Sequence, residues 1–102
     1  MEEGKNKMIM QFIRLKSTLT EAELMEVALE RKPQFEAIPG LVQKYYVKMG
    51  EGNEYGGVYI WDSMESLKEY RASELAAGIP KAYKLAEPPG IEVMEIIEIL
   101  RD

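Results

Sequence analysis

The sequence contains neither cysteine nor histidine. The first absence excludes disulfides, thiolate metal sites and cysteine nucleophiles. The second removes the commonest metal ligand, the usual general base and the usual haem ligand. The expectation is a protein with no metal and no cofactor. Positive charge is also short: 13 Lys and Arg face 18 Asp and Glu, for a net charge of -5. The basic residues are scattered, and an acidic surface repels a phosphate backbone, so nucleic acid is not expected as a partner. Long apolar runs are missing too. The N-terminal Met1-Glu2-Glu3-Gly4-Lys5-Asn6-Lys7 carries acids, and the apolar stretch behind it is broken by Gln11 and Arg14. That pattern predicts neither a signal peptide nor a membrane span, and a cytoplasmic protein.

What is present fits one domain, 1–102. A chain of this size buries about 60–65% of the surface its unfolded form exposes, so its own core is thin. Residues 8–15 are apolar at six of eight positions, the composition of a strand buried on both faces. Thr20 and Glu23 are spaced as a capping box, with Leu19 and Leu24 placed as a hydrophobic staple. Leu24, Val27, Ala28 and Phe35 continue as an apolar stripe with Arg31 at its edge, predicting a helix over 20–36 that Pro39-Gly40 closes.

Residues 41–49 and 55–61 read as two strands joined by the glycine-rich Gly50-Glu51-Gly52-Asn53 loop. Asp62 or Ser63 caps a second helix ending near Ser73, with Leu67, Tyr70 and Arg71 on its inner side. Residues 76–89 are expected to be irregular, with a helical turn around 81–85, and 91–100 to form the last strand.

The order β-α-β-β-α-β predicts an α+β, ferredoxin-like fold: a four-stranded antiparallel sheet with both helices on one face. The other face stays open. Because the first strand is apolar on both sides and the middle strands carry aromatic residues on both, a bare face would expose an unusually large apolar patch. A second copy of the chain is the expected cover.

Pro39-Gly40-Leu41, Lys44, the strand Tyr55-Gly56-Gly57-Val58-Tyr59-Ile60-Trp61, Tyr70 and the Glu87-Pro88-Pro89-Gly90 entry to the last strand resemble the antibiotic-biosynthesis-monooxygenase-like superfamily, and within it the small mono-oxygenase branch. The likeness runs over about 12–100. It implies a dimeric α+β barrel, two open sheet faces packed together, with a small cavity between sheet and helices in each subunit. Some members of this superfamily oxidise polycyclic phenols to quinones with neither metal nor flavin; others degrade haem or only bind ligands. The haem-handling members use a histidine on the second helix, where this chain has Tyr70. Tyrosinate can ligate haem iron, but the missing histidine makes haem a poor expectation. The resemblance assigns no catalytic residue here.

Strand parity puts Lys44 and Tyr46 with Val42 on one face, and separates Tyr59 and Trp61 from Val58 and Ile60. On the premise that the helix-covered face is the more apolar, Lys44, Tyr46, Tyr59 and Trp61, with Gln11, are expected on the barrel side, where the two sheets meet. Two readings follow. In one, these residues line a cavity in which the rings hold a flat phenolic or quinonoid compound, Lys44 stabilises a phenolate, and Gln11 or a tyrosine orients it. The protein is then a cofactor-independent monooxygenase. In the other, the rings merely pack at a dimer core and Lys44 pairs with a carboxylate such as Glu54, leaving a non-catalytic ligand-binding or accessory protein. Gly56-Gly57 precedes a strand and opens no helix, so it is structural and not a phosphate loop.

Overall fold

The structure is a computed structural model that describes residues 7–50 and 52–101. The acidic leading segment 1–6 and Glu51 of the glycine-rich loop lie outside the described residues. The elements run β1 (Ile9–Lys16), α1 (Glu21–Glu36), β2 (Leu41–Lys48), β3 (Glu54–Trp61), α2 (Met64–Arg71), α3 (Glu74–Ala77), α4 (Ile79–Ala82) and β4 (Gly90–Glu95). The four strands form one antiparallel sheet in the order β2-β3-β1-β4.

Local chemistry sets the boundaries. Thr20 caps α1 through the expected box: its Oγ1 accepts from the Glu23 N–H while Glu23 Oε1 accepts from the Thr20 N–H. Pro33 does not end this helix, which continues to Glu36 and is capped at Ala37. Gly50 and Gly52 take positive φ, +61° and +128°, in the β2-β3 hairpin, where a side chain would be strained. Ser63 caps α2, and Ser73 ends that run by capping α3. Two short helices thus occupy 74–82, where the sequence predicts an irregular segment from 76 with a helical turn around 81–85.

The last strand is shorter than expected. β4 stops at Glu95 because it pairs with β1, whose ladder begins at Ile9; one further bond joins the Ile96 N–H to the Met8 carbonyl. Beyond it Ile97 and Leu100 are each 89% exposed.

One sheet face is covered. Ile9, Gln11, Ile13 and Leu15 of β1 and Tyr55, Tyr59 and Trp61 of β3 are buried there against Leu24, Phe35, Leu67 and Tyr70 of α1 and α2. The opposite face presents Met10, Phe12, Tyr45, Val58, Ile60 and Met94, all partly or largely exposed. The apolar, uncovered face inferred from the sequence is therefore present.

Candidate functional site

Antiparallel register brings the candidate side chains together. Tyr59 stands opposite Gln11 on one side and Lys44 on the other, Gly57 opposite Tyr46, and Trp61 opposite Ile9. Cross-strand partners share a face, so Gln11, Lys44, Tyr46, Tyr59 and Trp61 do lie on one side of the sheet. That side is the helix-covered one, which corrects the expected placement at the barrel side. The reason is size: Phe35 and Tyr70 on the helices need large flat partners, and Tyr59 and Trp61 provide them. Parity also fails at Val42, because a bulge between Leu41 and Gln43 leaves Val42 without a ladder partner.

The aromatic cluster is continuous. Tyr59 and Trp61 stack at 6.0 Å between ring centroids and 6° between planes, Tyr70 lies 5.5 and 5.3 Å from them, and Phe35 lies 6.2 Å from Tyr59. Tyr59 Oη and Tyr70 Oη are 3.3 Å apart. Trp61 is fully buried, and its Nε1–H donates to Gln11 Oε1 at 2.9 Å, fixing the amide so that Gln11 Nε2 has no partner among the described residues.

Lys44 occupies the centre of this chemistry. Its Nζ lies 3.3 Å from the centroid of Phe35, 4.5 Å from Tyr46 and 4.6 Å from Tyr59. It makes no ion pair among the described residues; Glu54, the carboxylate expected to hold it, pairs with Lys16 at 3.7 Å instead. Burial, and secondarily the nearby Arg31 charge, bring the Lys44 amine from 10.5 down to about 7. The ring faces oppose that loss by favouring the cation.

Sequence reasoning left Arg31 at a helix edge and missed Tyr83. Arg31 lies over the rings of Phe35 and Tyr83, each 5.7 Å from its centroid, and its Nη2 donates to the Leu75 carbonyl at 2.6 Å. Arg31 likewise makes no ion pair among the described residues. Tyr83 is held from below, since Ser17 Oγ donates to its carbonyl at 2.6 Å. Only the apolar spacing of Arg31 with Phe35 is visible in the sequence; Tyr83 falls in the segment read as irregular.

The cavities divide the candidates. A groove of about 450 Å³ between α1 and β2 is lined by Phe35, Leu41, Lys44 and Tyr46, with Met25 and Leu29 on its helical wall. Gln11 and Tyr70 line a separate cavity of about 160 Å³ with Ile79 and Ile91. Between them a void of about 10 Å³ touches Lys44, Tyr46, Tyr59 and Tyr83. Lys44 and Tyr46 thus face a ligand-sized space, while Tyr59 and Trp61 are chiefly core. Among the described residues no group of three or more Asp or Glu is placed to hold a metal ion, and no helix is long and apolar enough to cross a membrane.

No protein-family model and no curated protein matches the sequence. Solved structures do match in shape. A protein of unknown function from Nitrosomonas europaea superposes with a TM-score of 0.77 at 22% identity, over 97% of this chain and 98% of its own. A Caulobacter crescentus protein provisionally assigned as an antibiotic biosynthesis monooxygenase gives 0.75 at 22%, over 91% and 92%. SnoaB, a cofactor-independent oxygenase from Streptomyces nogalater, gives 0.76 at 14%, over 94% and 99%. The two strands, the glycine reversal and the capped second helix read from the sequence are all present, and the chain shares the α+β, ferredoxin-like fold of these structures.

Proposed function

We propose that the protein is a cofactor-independent monooxygenase acting on a small phenolic compound bound in the groove between α1 and β2. The observation that carries this reading is Lys44: a partly buried amine among three rings, with no carboxylate partner among the described residues, and with its proton affinity lowered to about 7. An amine of that affinity serves as a base at neutral pH. Neutral Lys44 takes the phenolic proton, and the resulting ammonium holds the phenolate.

The phenolate gives one electron to dioxygen, and the two radicals combine with formation of a carbon–oxygen bond at a ring carbon. The peroxide then breaks its O–O bond as that carbon loses its hydrogen. One oxygen stays as the quinone carbonyl and the other leaves as water. All electrons come from the substrate, so the balance is phenol plus dioxygen to quinone plus water. The shape match to a cofactor-independent oxygenase supports this chemistry. A homodimer through the uncovered sheet face, with Phe12, Tyr45 and Met94 at the contact, completes the proposal.

The alternative of a non-catalytic ligand-binding protein draws on the burial of Tyr59 and Trp61, which leaves them occupied with packing. Oxygen consumption separates the two. A panel of mono- and polyhydroxylated naphthalenes in an oxygen electrode is expected to give uptake that rises with pH to a plateau above about 7 and is lost in Lys44→Met. Ligand binding without uptake on any member would leave the binding reading in its place.

A further inference from the structure

Three polar groups in and near the Lys44 void lack a partner among the described residues. Tyr83 is 3% exposed and its hydroxyl has no hydrogen-bond partner among the described residues. Arg31 Nε is buried and unpartnered, and no carboxylate neutralises its guanidinium among the described residues. Lys44 is the third. Buried donors and charges without partners are costly, so a native cluster of them calls for an explanation. The nearby acids do not supply it: Glu36 on the groove wall pairs with Lys32 at 3.8 Å, and Glu21 pairs with Lys48 at 3.1 Å. A chain of net charge -5 thus sets a partly buried guanidinium and a partly buried amine near each other with no carboxylate partner among the described residues.

Resting on the functional reading above, we propose that the void between Lys44 and Tyr83 is an oxyanion site: the ligand is bound as an anion, with one ionised oxygen between Lys44 Nζ and Tyr83 Oη. Its volume, about 10 Å³, suits a single atom, and Lys44 and Tyr46 also line the adjoining groove that takes the ring. Tyr83 donates a hydrogen bond to the oxygen. Arg31 lines neither space and contributes through its field, anchored by the Leu75 carbonyl. Burial, first of all, pushes the Tyr83 hydroxyl up to about 12, so it stays a donor across the neutral range. A phenolate or a carboxylate offers the same oxygen, and the probes must tell them apart.

Three para-substituted nitrobenzenes do so: 4-nitrophenol, 4-nitrobenzoate and the neutral 4-nitrotoluene. At about pH 6, where free 4-nitrophenol is largely un-ionised, the wild-type protein is expected to bind it with the absorbance of the phenolate. Binding should be about ten-fold or more tighter than for 4-nitrotoluene, the scale of a charge-assisted hydrogen bond. Tyr83→Phe should weaken the phenolate by about ten-fold, leave 4-nitrotoluene unchanged and leave stability intact, because the hydroxyl it removes has no partner to lose. Arg31→Gln should lower the ionised fraction of bound 4-nitrophenol. Tighter binding of 4-nitrobenzoate than of 4-nitrophenol would keep the oxyanion site but assign it to a carboxylate, and would count against the phenol reading alone. Equal affinity for all three, no binding of either anion, or phenolate binding untouched in Tyr83→Phe would overturn the site, whatever oxygen uptake shows.

Discussion

Replacing Lys44 with Met tests the electrostatics of the site without any knowledge of a ligand. The substitution roughly keeps the side-chain volume and removes the amine. In the unfolded chain the lysine titrates near 10.5; in the folded protein it titrates near 7. Between those values the unfolded state binds one more proton than the folded one, so stability rises with pH across this window. Below about pH 7 both states are protonated and the folded protein carries the full penalty of a charged, poorly hydrated amine. The Met variant carries none at any pH.

A shift of that size corresponds to at most about 5 kcal/mol. Lys44 retains some exposure and the rings of Phe35, Tyr46 and Tyr59 stabilise its cation, which reduces the realistic effect to about 1–3 kcal/mol. Urea unfolding of both proteins from pH 6 to pH 10 measures it, and taking the difference cancels every other titrating group. Lys44→Met is expected to be favoured most at pH 6, with wild type gaining on it by about 1–3 kcal/mol by pH 10. A difference that does not change with pH, or one in which wild type loses ground as pH rises, would refute the buried-amine argument.

Trp61→Ala should cost about 3–5 kcal/mol, because the side chain is fully buried and stacked on Tyr59; thermal melting should register it at about 4–8 °C per kcal/mol. A loss below about 1 kcal/mol would mean that Trp61 is not core. Gly57→Ala would set a methyl 2.9 Å from Tyr59 Cε1 and 3.6 Å from Lys44 Cε, so it should destabilise by about 1–3 kcal/mol in urea unfolding. Sedimentation equilibrium at micromolar concentration should give about twice the 11.7 kDa chain mass; a well-folded monomer would remove the proposed sheet-face dimer.

The backbone was legible because its signals are local. Thr20 and Glu23 fix a helix start through two hydrogen bonds, and the glycines at 50 and 52 fix a reversal through positive φ; neither depends on distant residues. The shared face of Lys44, Tyr46, Tyr59 and Trp61 was legible for the same reason, since alternation along a strand is a backbone property. Which face it was depended on non-local packing. The premise that a helix-covered face must be the more apolar one failed because aromatic hydroxyls and the Trp61 indole find partners in one another and in Gln11. The partner of Lys44 was misjudged because Glu54 lies nearer Lys16, its direct neighbour across the β1-β3 ladder. Tyr83 was invisible because its position is set by the Ser17 hydroxyl, 66 residues away along the chain.

The pattern of proton affinities in the cluster yields a last prediction. Tyr46, Tyr59, Tyr70 and Tyr83 are all raised, in each case by burial first, so at neutral pH they remain uncharged and cannot take a proton from a phenol. Lys44 alone changes charge near neutrality, and any proton a bound phenol gives up must pass to it. With Lys44 neutral and Arg31 charged, moving that proton creates an ammonium and a phenolate together and leaves the charge of the cluster unchanged. No proton need therefore cross to solvent. Isothermal titration of 2-naphthol, un-ionised at pH 8, should give the same binding enthalpy in phosphate and in Tris, whose ionisation enthalpies differ widely. An enthalpy that depends on the buffer would mean that the phenolic proton leaves the site, and would remove Lys44 as its acceptor.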